Sequence, residues 1–288
     1  MSNETPHVTG AQVVSRVSAL LRELASNNRL GSRLVDLERK LGLERSTAHR
    51  LLRALVQDGL AEQDENTKRY HLGPLIFELG IAVKPTLDLR AFTRDALERL
   101  TNLTGDTVYL TIRNRYESVC IARLEGDFPI KTLTVDVGGR RPLGTNAGGL
   151  ALLAAESADE IDRILAWNAA IYPNYYGLTS EKVGALVNRA HTLGYVLSDN
   201  DILPGATALG LPLLAPDRTP LAAISVVAVQ SRMPPARREQ IVRAMKDEIL
   251  KLESQLATTT PRLRDGKRPD RHRPVSRLST TGGGGTGA

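Results

Sequence analysis

The 288-residue sequence has one cysteine, Cys120, and only 4% aromatic residues. A lone thiol excludes an internal disulfide and a Cys-based zinc site within one chain. With so few rings, the core must be built mainly from Leu, Val, Ile and Ala. No stretch approaches the roughly 18 consecutive apolar residues of a membrane-spanning helix. The opening MSNETPHVTG lacks the basic-then-apolar pattern of a secretory signal. A soluble, cytoplasmic protein with no membrane partner is therefore expected. Enzyme signatures are also missing. There is no G-x-S-x-G elbow, and GGRRPLGT (138–145) lacks the Lys-Ser/Thr ending of a phosphate-binding loop. The five histidines, His7, His49, His71, His191 and His272, show no metal-ligand spacing. Neither a metal, a cofactor nor a catalytic residue is expected. Cys120 falls in an apolar run with no basic helix terminus nearby, which suits a buried, inert thiol.

At 41% apolar and 24% charged, the chain has a globular composition, and its length points to about two domains. Its net charge of +6 is unevenly placed. Residues 257–288 carry seven Lys/Arg against two Asp/Glu, leaving 31 against 30 in residues 1–256. Total charge is therefore poor evidence of nucleic-acid binding by the folded part. The segment 257–288 is rich in Thr, Pro, Arg and Gly without apolar periodicity, and is expected to be a disordered basic tail. Residues 1–10 are expected to be loose.

Residues 11–104 read as mostly helical. Val13, Val17, Leu20, Leu21 and Leu24 share one helical face over 13–26. Two shorter helices follow at 34–41 and 45–57, then two extended runs around Asp64-Glu65-Asn66-Thr67, read as a hairpin. Helices are expected at 75–83 and 89–103. From residue 105 strands and helices mix. Strands are expected at 106–114, 118–126, 130–138, 195–197, 207–214 and 221–229, and helices at 149–156, 157–167, 179–194 and 235–256. Ser157 and Glu160 form a capping-box pattern. This order implies an α+β chain in which helices cover a sheet.

LVDLERKLGLERSTAHRLLR (34–53) carries the most specific signal. A helix-turn-helix needs two short helices, a tight turn and a shared buried face. Gly42 supplies the turn, and Leu34, Leu37, Leu41, Leu43, Ala48, Leu51 and Leu52 supply the face. That leaves Arg45, Ser46, Thr47, His49, Arg50 and Arg53 facing mainly outward. Arg can be bidentate to guanine, and Ser/Thr hydroxyls reach phosphates or base edges. Six basic and three acidic residues lie between Arg33 and Arg53. Glu38 stands where a small residue usually allows close helix approach. Lys68 and Arg69 fall on the returning strand of the hairpin, where a wing would touch the DNA backbone. The candidate contacts to double-stranded DNA are thus Arg33, Arg45, Ser46, Thr47, His49, Arg50, Arg53, Lys68 and Arg69.

RSTAHRLLRALVQDGLAEQ followed by RYHLG resembles the IclR family of bacterial transcriptional regulators. GGRRPLGTNAGGLALLAA (138–155) and HTLGYVLSDNDILPGATALGLPLLAPDRTPLAAISVVAV (191–229) extend the likeness over about residues 12–256. The resemblance implies a winged helix-turn-helix (11–73), a helical linker (74–104) and a GAF-like effector-binding domain (105–256). It implies a homodimer or dimer of dimers on a pseudo-palindromic operator, responding to a small organic or aromatic acid. It places the effector against Thr145, Asn146, Ala147, Gly148, Ser198, Asp199, Ala206, Ala208, Ser225 and Val227. Gly144 and Leu150 stand where the family often has His and Lys. Both are expected beside the pocket, which would suit a larger or less polar ligand. Read from the residues alone, Gly144–Gly149 is either an amide cradle for a carboxylate or a turn that starts a helix. Ser225 and Val227 share one strand face, a pocket wall or plain core. Two rival classes stay open: an enzyme on the same scaffold, and a DNA-binding protein without an effector.

Overall fold

A computed structural model describes residues 12–83, 87–132 and 134–259. The expected loose start at 1–10 lies outside these residues, as does the tail from 260 onward. The tail was expected from 257, but the final helix runs on to Thr259.

The N-terminal part packs three helices, α1 (Gln12–Ser26), α2 (Leu34–Leu41) and α3 (Arg45–Gln57), against the hairpin β1 (Ala61–Gln63) and β2 (Tyr70–Leu72). Leu20, Leu24, Leu37, Leu52, Leu55, Ala61 and Tyr70 form the centre, with Leu34, Leu41, Leu43 and Leu51 packed around it. Ala48 is also fully buried. Gly42 ends α2 in the left-handed region at φ 60° and turns the chain into α3. Val13 does not join this core and is 57% exposed. The first turn of α1 overshoots its neighbours, and cluster contacts begin only at Val17. The wing turn is closed by Asp64, whose carboxylate accepts from the amides of Asn66 and Thr67 and from the Thr67 hydroxyl. These bonds, led by the Thr67 amide, hold its pKa below the ordinary value.

Helix α4 (Pro74–Ala82) follows, then α5 (Leu89–Thr104), capped by Asp88 at its start and by Gly105 at φ 66° at its end. The remaining elements are β3 (Thr107–Asn114), β4 (Glu117–Leu124), β5 (Arg140–Pro142), α6 (Ala147–Ala154), α7 (Ala158–Asn168), α8 (Ser180–Leu193), β6 (Val196–Asp199), β7 (Ala206–Leu214), β8 (Pro220–Val229) and α9 (Pro235–Thr259). The strands form one antiparallel sheet in the order β5-β4-β3-β8-β7-β6. Strand alternation divides the sheet's two faces. Val108, Leu110, Leu209, Leu211, Ile224 and Val226 pack under α5 and α9. Tyr109, Thr111, Ala208, Ser225 and Val227 face the opposite side, where α6 and α8 cover part of the sheet.

Three expectations are corrected here. Among the described residues, 130–138 is not a strand, despite its alternating Val and Thr. Its backbone is held largely by side chains. The Tyr109 hydroxyl donates to the Thr132 carbonyl and accepts from the Thr134 amide, while Arg141 and Arg123 donate to the carbonyls of Thr134 and Val135. Second, the capping box is only half made. Ser157 accepts from the Glu160 amide, but the Glu160 carboxylate pairs with Arg113 and Arg163. Third, α5 is no free linker. Ala96, Leu97 and Leu100, expected within a helical linker over 74–104, are buried in the sheet's core. No helix among the described residues is long and apolar enough to cross a membrane.

Candidate nucleic-acid interface and ligand cavity

The outer face of α3 and the wing border an open groove of about 840 Å³. Arg33, Arg45, Ser46, His49 and Lys68 line it, together with Gln63 and Thr67, which sequence reasoning missed. Both lie in the hairpin, where a polar side chain close to Lys68 was the only available signal. Arg50 and Arg53 are exposed on α3 but do not line the groove, and Thr47 is half-buried. Lys68 is in the turn at φ 56°, not on the returning strand. Arg69 precedes β2 and is half-buried, its guanidinium donating to the Gly31 carbonyl at 2.8 Å. Arg69 thus pins the wing to the α1–α2 connection, whereas Lys68 is free to meet a phosphate.

The second site is a cavity of about 570 Å³ on the sheet face not covered by α5 and α9. Tyr109 and Thr111 of β3, Ser225 and Val227 of β8, Ala206 and Ala208 of β7, and Ser198 of β6 make its floor. The register aligns these residues, with Tyr109 opposite Ser225, Val227 opposite Ala208 and Ala208 opposite Ser198. Thr145, Asn146 and Ala147 at the start of α6 close one end. Arg141, Tyr175, Tyr176, Ile202 and Leu203 also line it and were not anticipated.

Helix α6 reaches the sheet because it starts with small residues. A Cβ on Gly148 would lie 2.6 Å from the Thr111 hydroxyl oxygen, and one on Gly210 would lie 2.7 Å from the Ala147 carbonyl oxygen. Asn146 caps the helix, accepting from the Gly149 amide at 2.6 Å and donating to the Ser118 hydroxyl at 3.0 Å. The Ala147 amide at the first helical position has no intrahelical acceptor and carries the positive end of the helix dipole.

Among the described residues, Arg141 is the only charged side chain lining the cavity. It donates to the Thr134 carbonyl at 3.0 Å and lies 5.2 Å from the centre of the Tyr175 ring, and no carboxylate pairs with it among the described residues. Its neighbour Arg140, by contrast, is paired with Glu117 at 2.7 Å. Burial raises the Tyr109 pKa against the opposing bonds from Thr134. Cys120, packed beside Tyr109 and Val227 on the same face of the sheet, is pushed by burial from its ordinary 9.0 up to about 11, as an inert thiol should be.

Gly148 and Asp199 do not line the cavity. Gly148 is the contact point of α6 with Thr111. Asp199 follows Ser198 on β6 and so points the other way, accepting from Thr207 at 2.7 Å and pairing with Arg238 at 2.6 Å. The Thr207 bond, aided by Arg238, lowers its pKa. Nor do Gly144 and Leu150 border the space. Gly144 sits against Val183 at φ 93°, and Leu150 is buried in the cluster under α8. Neither position supports the inference of a larger ligand. No cluster of three His, Cys, Asp or Glu able to hold a metal occurs among the described residues.

The model of the IclR helix-turn-helix domain matches residues 13–65, and that of the bacterial transcriptional regulator IclR C-terminal region matches residues 82–253. The HTH-type transcriptional regulator XynR of Escherichia coli is 27% identical over 240 residues, covering 81% of this chain and 94% of that protein. BhcR of Paracoccus denitrificans, another HTH-type transcriptional regulator, is 28% identical over 251 residues, covering 86% and 87%. These relatives are transcriptional regulators, not enzymes. Among solved structures, an IclR-type regulator from Alicyclobacillus acidocaldarius superposes with a TM-score of 0.68 at 25% identity, covering 85% of this chain and 98% of that one. An IclR homologue from Microbacterium hydrocarbonoxydans, complexed with 4-hydroxybenzoate, gives 0.67 at 22% identity, covering 86% and 100%.

Proposed function

Because this chain belongs to the IclR family of bacterial transcriptional regulators, we propose that its α3–wing groove reads duplex DNA under the control of a small organic anion bound in the cavity. The observation that carries the ligand assignment is Arg141, which among the described residues is the one charge lining the cavity and has no matching acid. A carboxylate there meets the guanidinium and the start of α6, whose first amide has no intrahelical acceptor, both favourable to negative charge. Tyr175 and Tyr176 offer ring surface to the apolar part of the ligand. Benzoate and 4-hydroxybenzoate are the first probes, because the Microbacterium homologue holds the latter.

On the DNA side, Arg45, Ser46 and His49 supply contacts at the groove, Arg50 and Arg53 extend the same helix outward, and Lys68 reaches the backbone. The protein acts as a homodimer or dimer of dimers on a pseudo-palindrome. Helix α4 supports this: no residue of it is buried, and Phe77 and Ile81 are 72% and 68% exposed. Apolar helices left bare in one chain are suited to burial against a second copy. Sedimentation of the full chain tests the assembly, and Phe77→Asp should shift it toward monomer. Ligand-induced stabilisation by benzoate but not by benzamide tests the cavity. Stabilisation by neither acid would favour a regulator without an effector.

A further inference from the structure

Glu38 lies on α2 where a small residue would allow the closest approach to α3, and its Oε1 is buried with no hydrogen-bond donor among the described residues. A buried carboxylate oxygen left in this way costs stability. Packing therefore gives no reason for Glu38, but its position beside Arg45 does. Arg45 opens α3, and its Nε is 4.0 Å from that same oxygen, with the Arg45 side chain 79% exposed and Glu38 only 17%. No other partner of the Arg45 guanidinium is found among the described residues. Arg33, Ser46 and His49 line the same groove.

We propose that Glu38 is a positioning residue that makes Arg45 a base reader instead of a phosphate clamp, an inference that rests on the α3–wing groove being the DNA-reading surface. A carboxylate at the Nε edge restrains the stem and leaves the far edge of the guanidinium for the paired acceptors of guanine, O6 and N7. The same negative charge opposes a phosphate at this point and reduces the counterion release that Arg45 would otherwise bring. Glu38 thus exchanges general DNA affinity for discrimination at one base.

The test uses the full chain and a pool of random-sequence duplexes. Selection with the native protein should yield a site containing a guanine whose replacement by adenine weakens binding by about tenfold or more. In Glu38→Gln and Glu38→Ala that replacement should cost less than about threefold. Affinity for unselected random duplex should rise, and its salt dependence should steepen by about one phosphate contact. The double substitution Glu38→Ala with Arg45→Ala should match Arg45→Ala alone at that base. Neither Glu38 variant should melt earlier than the native chain. Glu38→Gln preserves volume, so the test stands even if Glu38→Ala fails to fold. The native guanine preference retained in Glu38→Gln would overturn the proposal, as would a lower melting temperature with base preference unaltered. If the native chain selects no site at all, the groove assignment falls with it.

Discussion

Replacing Arg141 by Gln removes the one charge that lines the cavity among the described residues and keeps a polar amide on a shorter side chain. A hydrogen bond to a charged group contributes about 1.5–3 kcal/mol net. Arg141 is half-buried, so solvent screening favours the lower part of that range. The Ala147 amide at the start of α6 remains in the variant. The expected cost is about 1.5–2 kcal/mol, or a roughly 13- to 30-fold weaker Kd for benzoate. Calorimetric titration of both proteins with benzoate and benzamide isolates the charge. Benzamide has the same ring and no ionised group, so its affinity should be nearly equal in the two proteins. The native chain should prefer the acid about tenfold, and the variant should lose that preference. Equal preference for benzoate in native chain and variant would refute the assignment of Arg141. Equal loss of both ligands would show instead that the side chain only shapes the rim through Thr134.

A fragment of residues 87–259 should fold alone, whereas 105–259 should not. The shorter piece lacks Ala96, Leu97 and Leu100, each 1% exposed, and each Leu contributes about 1.5–3 kcal/mol; urea denaturation of both fragments checks this, and two equal transitions would contradict it. Gly210→Ala drives a methyl to 2.7 Å from the Ala147 carbonyl. It should cost about 1–3 kcal/mol by melting and also weaken benzoate, and a native-like melt with full binding would argue against the α6–sheet contact. Between pH 9 and about 11 the unfolded chain carries a Cys120 thiolate while the folded chain keeps the proton, so stability should fall there by about 1.4 kcal/mol per pH unit. Below pH 9 that contribution is intact. Cys120→Ala should lessen the alkaline loss, and an identical pH profile would contradict the burial assigned to the thiol.

The DNA-reading half was legible because its signals are local. Gly42, the leucine spacing and the outward Arg45–Arg53 stripe are set within twenty residues, and the helices at 34–41 and 45–57 occur as read. The cavity was only partly legible. Eight of its floor and end residues could be placed from the family resemblance and strand alternation. Arg141 could not, because its importance lies in lacking a partner while adjacent Arg140 has one. The resemblance placed Asp199 against the effector, yet alternation along β6 sends it to Thr207 and Arg238 on the far side. The run 130–138 failed for a related reason. Its Val and Thr pattern fits a strand, but its backbone partners are side chains from positions 109, 123 and 141, which no local pattern records.

The same alternation bears on how a ligand could reach the DNA-binding half. Tyr109 and Ser225 face the cavity, while their neighbours Val108, Leu110 and Ile224 pack on the α5 side. The cavity floor and the helix that leads back toward α4 are therefore two faces of the same strands. A ligand that moves β3 against β8 moves the seat of Leu97 and Leu100 as well, because a close-packed core transmits displacement instead of absorbing it. Such a route works only if two dimer arrangements exist and the ligand binds one more tightly. The shift in DNA occupancy then cannot exceed that difference in affinity. Arg141, which sits on the rim and not on β3 or β8, would govern how tightly the anion is held. Tyr109 and Ser225 would govern which arrangement it favours.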